Sequence, residues 1–191
     1  LHEDLVDLVE KYATGEKLNL GCGMKPLPGW LNVDFNASVP ADIHFDLRYS
    51  WPLGSNQYDS VLASHTLEHF SGEELFHIMY ECGRVLKPGG HLIGIVPYAT
   101  CETFYANPFH KQAWTERTPA QFDRRLYESG GGASSLHADQ GIPLQPWDVK
   151  CVYLRPSIEW EGVSKEEFRR AARRYLNVVV EMSFVMKLVE E

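Results

Sequence analysis

Five short apolar runs, each closed by a polar residue, glycine or proline, constrain this chain more than any other feature. They are Lys17–Leu20, Trp30–Val33, Asp42–Phe45, Tyr58–Ala63 and His91–Val96. Short runs of this kind predict strands buried on both faces, as in a parallel sheet. Parallel neighbours need a crossover, and one stands between the fourth and fifth runs. Ser71-Gly72-Glu73-Glu74 is a capping box, after which Leu75, Ile78, Met79, Cys82, Val85 and Leu86 share one helical face. Lys87-Pro88-Gly89-Gly90 then stops the helix, because proline cannot continue it and glycine permits the reversal into the next strand. Strand, helix and strand in this order predict a right-handed crossover and an α/β fold.

The flanks are read from the same periodicities. Leu1, Leu5, Leu8, Val9 and Tyr12 lie on one face of an opening amphipathic helix that Gly15 ends. In the second half, Thr118-Pro119-Ala120-Gln121 caps a short helix carrying Phe122 and Leu126, which breaks at Gly130-Gly131-Gly132. Residues 129 to 147 are rich in glycine and poor in apolar side chains, and are expected to be a mobile loop. The whole of 99–147 is an irregular segment and a candidate lid. Val149–Leu154 reads as a strand, Ser164–Leu176 as a helix with its own Ser-x-x-Glu cap, and Val178–Leu188 as a long alternating strand. At 191 residues the chain is expected to be a single domain over 1–191.

Composition narrows the partners. Lys and Arg total 18 against 26 Asp and Glu, a formal charge of −8 that repels a phosphate backbone, so nucleic acid is not expected as a partner. The basic cluster Lys165, Arg169, Arg170, Arg173 and Arg174 is interleaved with Glu166 and Glu167 at helical spacing and reads as a solvated face. No apolar run reaches membrane-spanning length, no secretory signal is visible, and Cys22, Cys82, Cys101 and Cys151 form no Cys-x-x-Cys pair. A cytoplasmic protein without membrane contact is expected; the oligomeric state is open.

In an open parallel sheet, ligands bind beyond the carboxyl ends of the strands, so the residues just after each run carry the chemistry. After the first run, Gly21-Cys22-Gly23 lets backbone N–H groups approach a ligand closely. Asp34 follows the second run and is able to accept both hydroxyls of a ribose, while Asp46 follows the third and could accept from an adenine amino group. Ser64-His65 follows the fourth, and Pro97-Tyr98 the fifth. A glycine turn alone is weak evidence, but the ordered set is specific.

These motifs, Leu18-Asn19-Leu20-Gly21-Cys22-Gly23, Ala63-Ser64-His65-Thr66-Leu67-Glu68-His69-Phe70 and Arg84-Val85-Leu86-Lys87-Pro88-Gly89-Gly90, resemble the class I S-adenosylmethionine (SAM)-dependent methyltransferases over about residues 17 to 98. The resemblance implies a Rossmann-like, doubly wound, mostly parallel seven-stranded sheet whose last strand, Val178–Leu188, is antiparallel. It implies SAM as cofactor and S-adenosylhomocysteine as product. The cofactor would be held by Leu20, Gly21, Cys22 and Gly23, by Asp34 and Phe35, by Asp46 and Leu47, and by Ser64 and His65. Three departures stand out: Asn19 replaces an acidic residue, Lys25 occupies the place of a third glycine, and the connection from Gly21 to Asp34 is too short for a full helix. Met24–Gly29 is therefore expected to be a loop or one helical turn.

Rival patterns are poorly supported. A nicotinamide dehydrogenase would need the third glycine and a longer first crossover. His65-Thr66-Leu67-Glu68-His69 fits the H-x-x-E-H zinc pattern, but it follows a strand directly where a protease needs the middle of a helix, so no metal is assigned. Asn107-Pro108-Phe109 is similar to a motif of amino methyltransferases acting on DNA, but it follows the fifth strand rather than the fourth. Removing a proton from an acceptor suits histidine near neutral pH, and His69, His110 and His65 are the candidates. Tyr98, Phe104, Tyr105, Phe109 and Trp114 crowd the same stretch and suit an apolar or ring-bearing acceptor. The expected function is methyl transfer to a small molecule, a metabolite or sugar; the alternative is a SAM-binding or assembly protein without catalysis.

Overall fold

The computed structural model describes residues 3–129 and 145–189. Helix α1 (Glu3–Tyr12) precedes β1 (Lys17–Leu20), β2 (Leu31–Asp34), β3 (Ile43–His44) and β4 (Tyr58–Ser64). Helix α2 (Gly72–Val85) leads into β5 (Leu86–Pro97), followed by the short helices α3 (Glu102–Ala106), α4 (Arg117–Ala120) and α5 (Arg124–Glu128). Strand β6 (Trp147–Pro156), helix α6 (Lys165–Ala172) and strand β7 (Val179–Leu188) complete the order. The strands form one seven-stranded sheet ordered β3-β2-β1-β4-β5-β7-β6. Strands β1 to β5 pair in parallel, and β7 is antiparallel to both β5 and β6. This is the expected Rossmann-like architecture, with the chain order reversing between β1 and β4.

Alternation along the central strands builds a core on each face. Val61 and Ala63 of β4, Leu92 and Val96 of β5, and Phe184 and Met186 of β7 pack with Leu75, Ile78, Met79 and Cys82 of α2. On the opposite face Leu62, Ile93, Ile95 and Val185 pack with Leu8 of α1. Burying such a side chain contributes about 1.5–3 kcal/mol each, which is why the period-two pattern fixes the register. Gly94 sits under Phe184, whose ring fills the space a side chain would need. The capping box forms as expected, with the Ser71 N–H donating to Glu74 Oε2 at 2.6 Å.

Several boundaries differ from the sequence expectation, each for a tertiary reason. Strand β5 begins at Leu86 rather than His91, because Leu86 pairs with Tyr58 and pairing resumes at Ser60 and His91. Residues 87–90 bulge out of the ladder between them, helped by Gly89 at φ 82°. The single helix expected around Phe122 is two short ones, because Asp123 caps the second: its Oδ1 accepts from the Arg125 N–H at 2.9 Å. Helix α6 ends at Ala172, not Leu176; Asn177 takes a left-handed φ of 59° and its N–H donates to Thr100 O at 3.1 Å. Strand β6 extends beyond Val149–Leu154 at both ends because β7 offers partners along its whole length. The glycine run 130–132 and most of the expected loop lie outside the described residues, as do the side chains of Leu1 and Leu5.

Among the described residues no helix is long and apolar enough to cross a membrane. All four cysteines are free thiols.

Candidate active site

The carboxyl ends of β1 and β4 meet where the strand order reverses, the position at which open α/β sheets bind ligands. A cleft of ≈ 660 Å³ opens there, lined among others by Asn19, Gly21, Cys22, Leu27, Ser64 and His65. That volume is in the range of small-molecule sites.

The glycine turn is held from behind. Gly21 has φ 65°, and a Cβ there would overlap the Thr66 hydroxyl, which donates to Leu20 O at 3.0 Å. Only glycine fits this place. At Gly23, φ 54°, a Cβ would meet nothing within 4 Å, so the turn faces open space on its outer side. Cys22 N–H donates to Val33 O at 3.0 Å, and burial pushes the Cys22 thiol pKa up, which keeps it a neutral wall group rather than a nucleophile.

No helix bridges β1 and β2. Asn32 instead fastens the connecting loop: its Oδ1 accepts from Leu27 N at 2.8 Å and from Asn19 Nδ2 at 3.0 Å, and its Nδ2 donates to Leu27 O and Trp30 O at 3.1 and 3.0 Å. One buried amide thus replaces the packing of a crossover helix, and the loop expected at Met24–Gly29 is observed. Asn19 is tied to Asn32 and also lines the cleft.

Asp34 stands at the end of β2 and braces the turn, its Oδ2 accepting from Gly23 N and its Oδ1 from Asn36 N, both at 2.9 Å. A carboxylate has about four acceptor sites, so two remain for a ligand. Phe35 beside it is 75% exposed. Asp46 is gripped by Arg48, whose Nε and terminal nitrogen reach it at 3.0 and 2.5 Å and hold its carboxyl below the usual range. Leu47 is buried and its carbonyl accepts from the Trp51 indole at 3.1 Å, so it positions backbone rather than offering a free side chain. Leu20 likewise is fully buried, leaving only its backbone to the turn.

The residues after β4 diverge in role. His65 adopts a left-handed φ of 51°, which throws its ring toward β7, where Nε2 lies 2.9 Å from Glu181 Oε2. Its Nδ1 is 3.6 Å from Glu68 Oε1, and the two carboxylates, Glu181 foremost, raise its pKa to about 9. At neutral pH His65 is a cation at the cleft wall. His69 ends a single 3₁₀ turn, Leu67–His69, and its Nδ1 lies 3.3 Å from Phe109 O. His110 comes from the loop after α3, held by Phe104 O at 3.0 Å on Nδ1 and Asn107 Nδ2 at 3.0 Å on Nε2. The His69 and His110 rings meet edge to face at 4.9 Å. Both pack around Glu68, whose side chain is 1% exposed.

Backbone geometry makes this convergence. The N–H groups of Lys111 and Gln112 both donate to Glu68 O, at 2.8 and 3.0 Å, stitching the 107–112 loop to the turn after β4. Of the aromatics in this stretch, Trp114, Tyr98 and Phe104 are buried, while Tyr105 and Phe109 are 68% and 74% exposed. The residues sequence reasoning did not assign to the site are Asn32, Thr66, Glu68, Asn107 and Glu181. Glu181 was findable in principle, since the start of an antiparallel last strand lies at the carboxyl end of its parallel neighbours.

This constellation, a glycine turn under a cleft at the reversal point of a 3-2-1-4-5-7-6 sheet, defines a Rossmann-like methyltransferase fold. Comparison with known proteins agrees. Residues 18–94 match the model of a family described as methyltransferase domain. A SAM-dependent methyltransferase from Archaeoglobus fulgidus superposes with a TM-score of 0.61 at 17% identity, covering 96% of this chain and 91% of that one. One from Mesorhizobium loti gives 0.55 at 13%, covering 96% and 95%. The [4+2]-cyclase SpnF gives 0.54 at 15%, covering 98% and 82%. No curated protein matches the sequence. The segment carrying the glycine turn thus matches a methyltransferase domain, the chain has the fold of the SAM-dependent methyltransferases, and SAM is the cofactor that this likeness implies. The cleft fits that group: glycine where a Cβ would open toward the ligand, spare acceptor capacity on Asp34, and Ser64 across from the turn.

Proposed function

We propose that this chain transfers a methyl group from SAM to a small-molecule acceptor, a metabolite or sugar, presented over His69. SAM supplies a methyl group activated on a sulfonium; the protein must align the acceptor with it and remove the acceptor's proton. Gly21 to Gly23, Asp34 with Phe35, Asp46 with Leu47, and Ser64 are the residues that would hold the cofactor. The observation that carries the acceptor side is the state of His69. Its Nδ1 is held by Phe109 O, while its Nε2 makes no hydrogen bond among the described residues. An imidazole fixed on one nitrogen and bare on the other is set to take a proton. His110 is engaged on both nitrogens and serves to hold the loop, and His65, already protonated, supplies positive charge beside the cleft. A small acceptor is favoured by the net charge of −8, which opposes a polyanion, and by the exposed rings of Tyr105 and Phe109, which suit stacking on a ring.

The test is incubation with methyl-labelled SAM and a metabolite extract. Label is expected in a small-molecule fraction with the wild-type chain and not with His69→Ala. Tight SAM binding without any labelled product would instead establish a SAM-binding module without catalysis.

A further inference from the structure

We propose that Glu68, His69 and His110 form a site for one divalent transition-metal ion of the zinc type, on the turn after β4 next to the cleft residue His65. One imidazole nitrogen from each histidine and one carboxylate oxygen all lie within 4.8 Å of one another. His110 Nε2 and Glu68 Oε1 stand 3.9 Å apart. Bonds of about 2.0–2.2 Å to a shared tetrahedral ion place ligand atoms roughly 3.3–3.6 Å apart, so side-chain rotations that draw the three groups together by up to about 1.5 Å complete the set.

Two observations separate this cluster from a chance meeting of polar side chains. Glu68 is 1% exposed, and its Oε2 makes no hydrogen bond among the described residues. His65 and His110 approach Oε1, so the carboxylate is buried with its other oxygen bare, which is costly, and a cation held by the group offsets that cost. The histidines, in turn, are oriented as ligands. Each turns Nδ1 to a backbone carbonyl, Phe109 O for His69 and Phe104 O for His110, which puts the proton on Nδ1 and the lone pair on Nε2. Asn107 confirms the tautomer of His110: its Oδ1 accepts from Phe109 N at 3.0 Å, so its Nδ2 is the end that donates to Nε2. That amide must swing aside when an ion binds.

Two neutral imidazoles and one carboxylate suit zinc, cobalt, manganese or iron, whereas magnesium and calcium prefer all-oxygen sets. Three protein ligands on one side leave coordination open on the other, where His69 is only partly buried. His65 Nδ1 also approaches Glu68 Oε1, at 3.6 Å, but the ring is held at its other nitrogen by Glu181 at 2.9 Å. The inference rests on the acceptor side of the proposed function and deepens it: in the ion-free chain His69 Nε2 takes the acceptor's proton, whereas with the ion bound Nε2 is a ligand and an acceptor hydroxyl on the ion loses its proton to solvent near neutral pH.

Chelator-treated full chain is titrated with Co²⁺, followed by visible absorption and calorimetry with no SAM present, and the bound Co²⁺ is then competed with Zn²⁺. One Co²⁺ per chain is expected, displaced by Zn²⁺, with affinity weakened roughly 10–100-fold or more in His69→Ala and in Glu68→Gln. His69 is partly exposed, so its replacement keeps the test valid if Glu68→Gln does not fold. Absence of equimolar binding, or binding unchanged in His69→Ala, overturns the site. Because neither SAM nor turnover enters the measurement, its failure leaves methyl transfer standing, and a failure to bind SAM leaves the metal site standing.

Discussion

The two groups of polar side chains at this end of the sheet, one around the glycine turn and one around Glu68, are built on opposite principles. Around the glycine turn the polar groups satisfy one another: Asp34 accepts from Gly23 and Asn36, Asn32 ties Asn19 to the loop, and Thr66 bonds Leu20. Around Glu68 they do not, since among the described residues a carboxylate oxygen is buried without a hydrogen-bond partner and His69 keeps one nitrogen bare. The first group is complete as a piece of fold, ready to receive a ligand with little rearrangement. The second becomes complete only with something added, which is where chemistry is to be sought.

The largest expected effect tests whether the two groups are separable. His69→Ala should lower methyl transfer by about 10²- to 10⁴-fold while SAM affinity, read by calorimetry, stays at the wild-type level. A matching loss of affinity would mean that the two groups act as one. In the other group, Gly21→Ala combines left-handed strain with overlap against Thr66 and should cost about 3 kcal/mol of stability in urea melts, with loss of SAM binding. A variant as stable as the wild type would show that the turn is not held from behind. Asp34→Ala should weaken SAM by about 1–3 kcal/mol through lost hydrogen bonds to the ribose, and unchanged affinity would remove Asp34 from the ribose contact.

The smallest effect concerns how the acceptor-side segment is anchored. Asp123 accepts from Val149 N at 2.9 Å and pairs with Arg125, which holds its carboxyl down to about 2. A folded pKa below the unfolded value of about 3.9 means that this stabilisation is full above that value and is lost as pH falls toward 2. Asp123→Asn should therefore flatten the stability curve between about pH 4 and 2, by on the order of 1 kcal/mol because Arg125 is mostly exposed. An unchanged acid limb would show that this anchor contributes nothing.

The same contrast explains what was legible in the sequence. Everything local to a strand end could be read in order along the chain: Gly21 to Gly23 after β1, Asp34 after β2, Ser64 after β4. The capping box at Ser71 and the alternation of β7 are local too, and α2 and the antiparallel last strand stand where they were expected. The group around Glu68 depends on contacts across 40 residues and more, such as His69 with Phe109 and His65 with Glu181. No periodicity encodes them. The pattern His65-Thr66-Leu67-Glu68-His69 does not read as a helical zinc pair because it follows a strand directly, and the left-handed turn at His65 does separate the two histidines; that His110 packs against His69 is not legible in the sequence. The Lys87–Gly90 bulge escaped for the same reason, since only pairing with Tyr58 extends β5 past the glycines.

The central claim is that the cleft under Gly21 binds SAM, and calorimetry of the full chain with SAM and with S-adenosylhomocysteine tests it most directly. The account predicts one site per chain for both, abolished in Gly21→Ala and weakened in Asp34→Ala. No heat of binding with either ligand in the folded wild-type chain would contradict it.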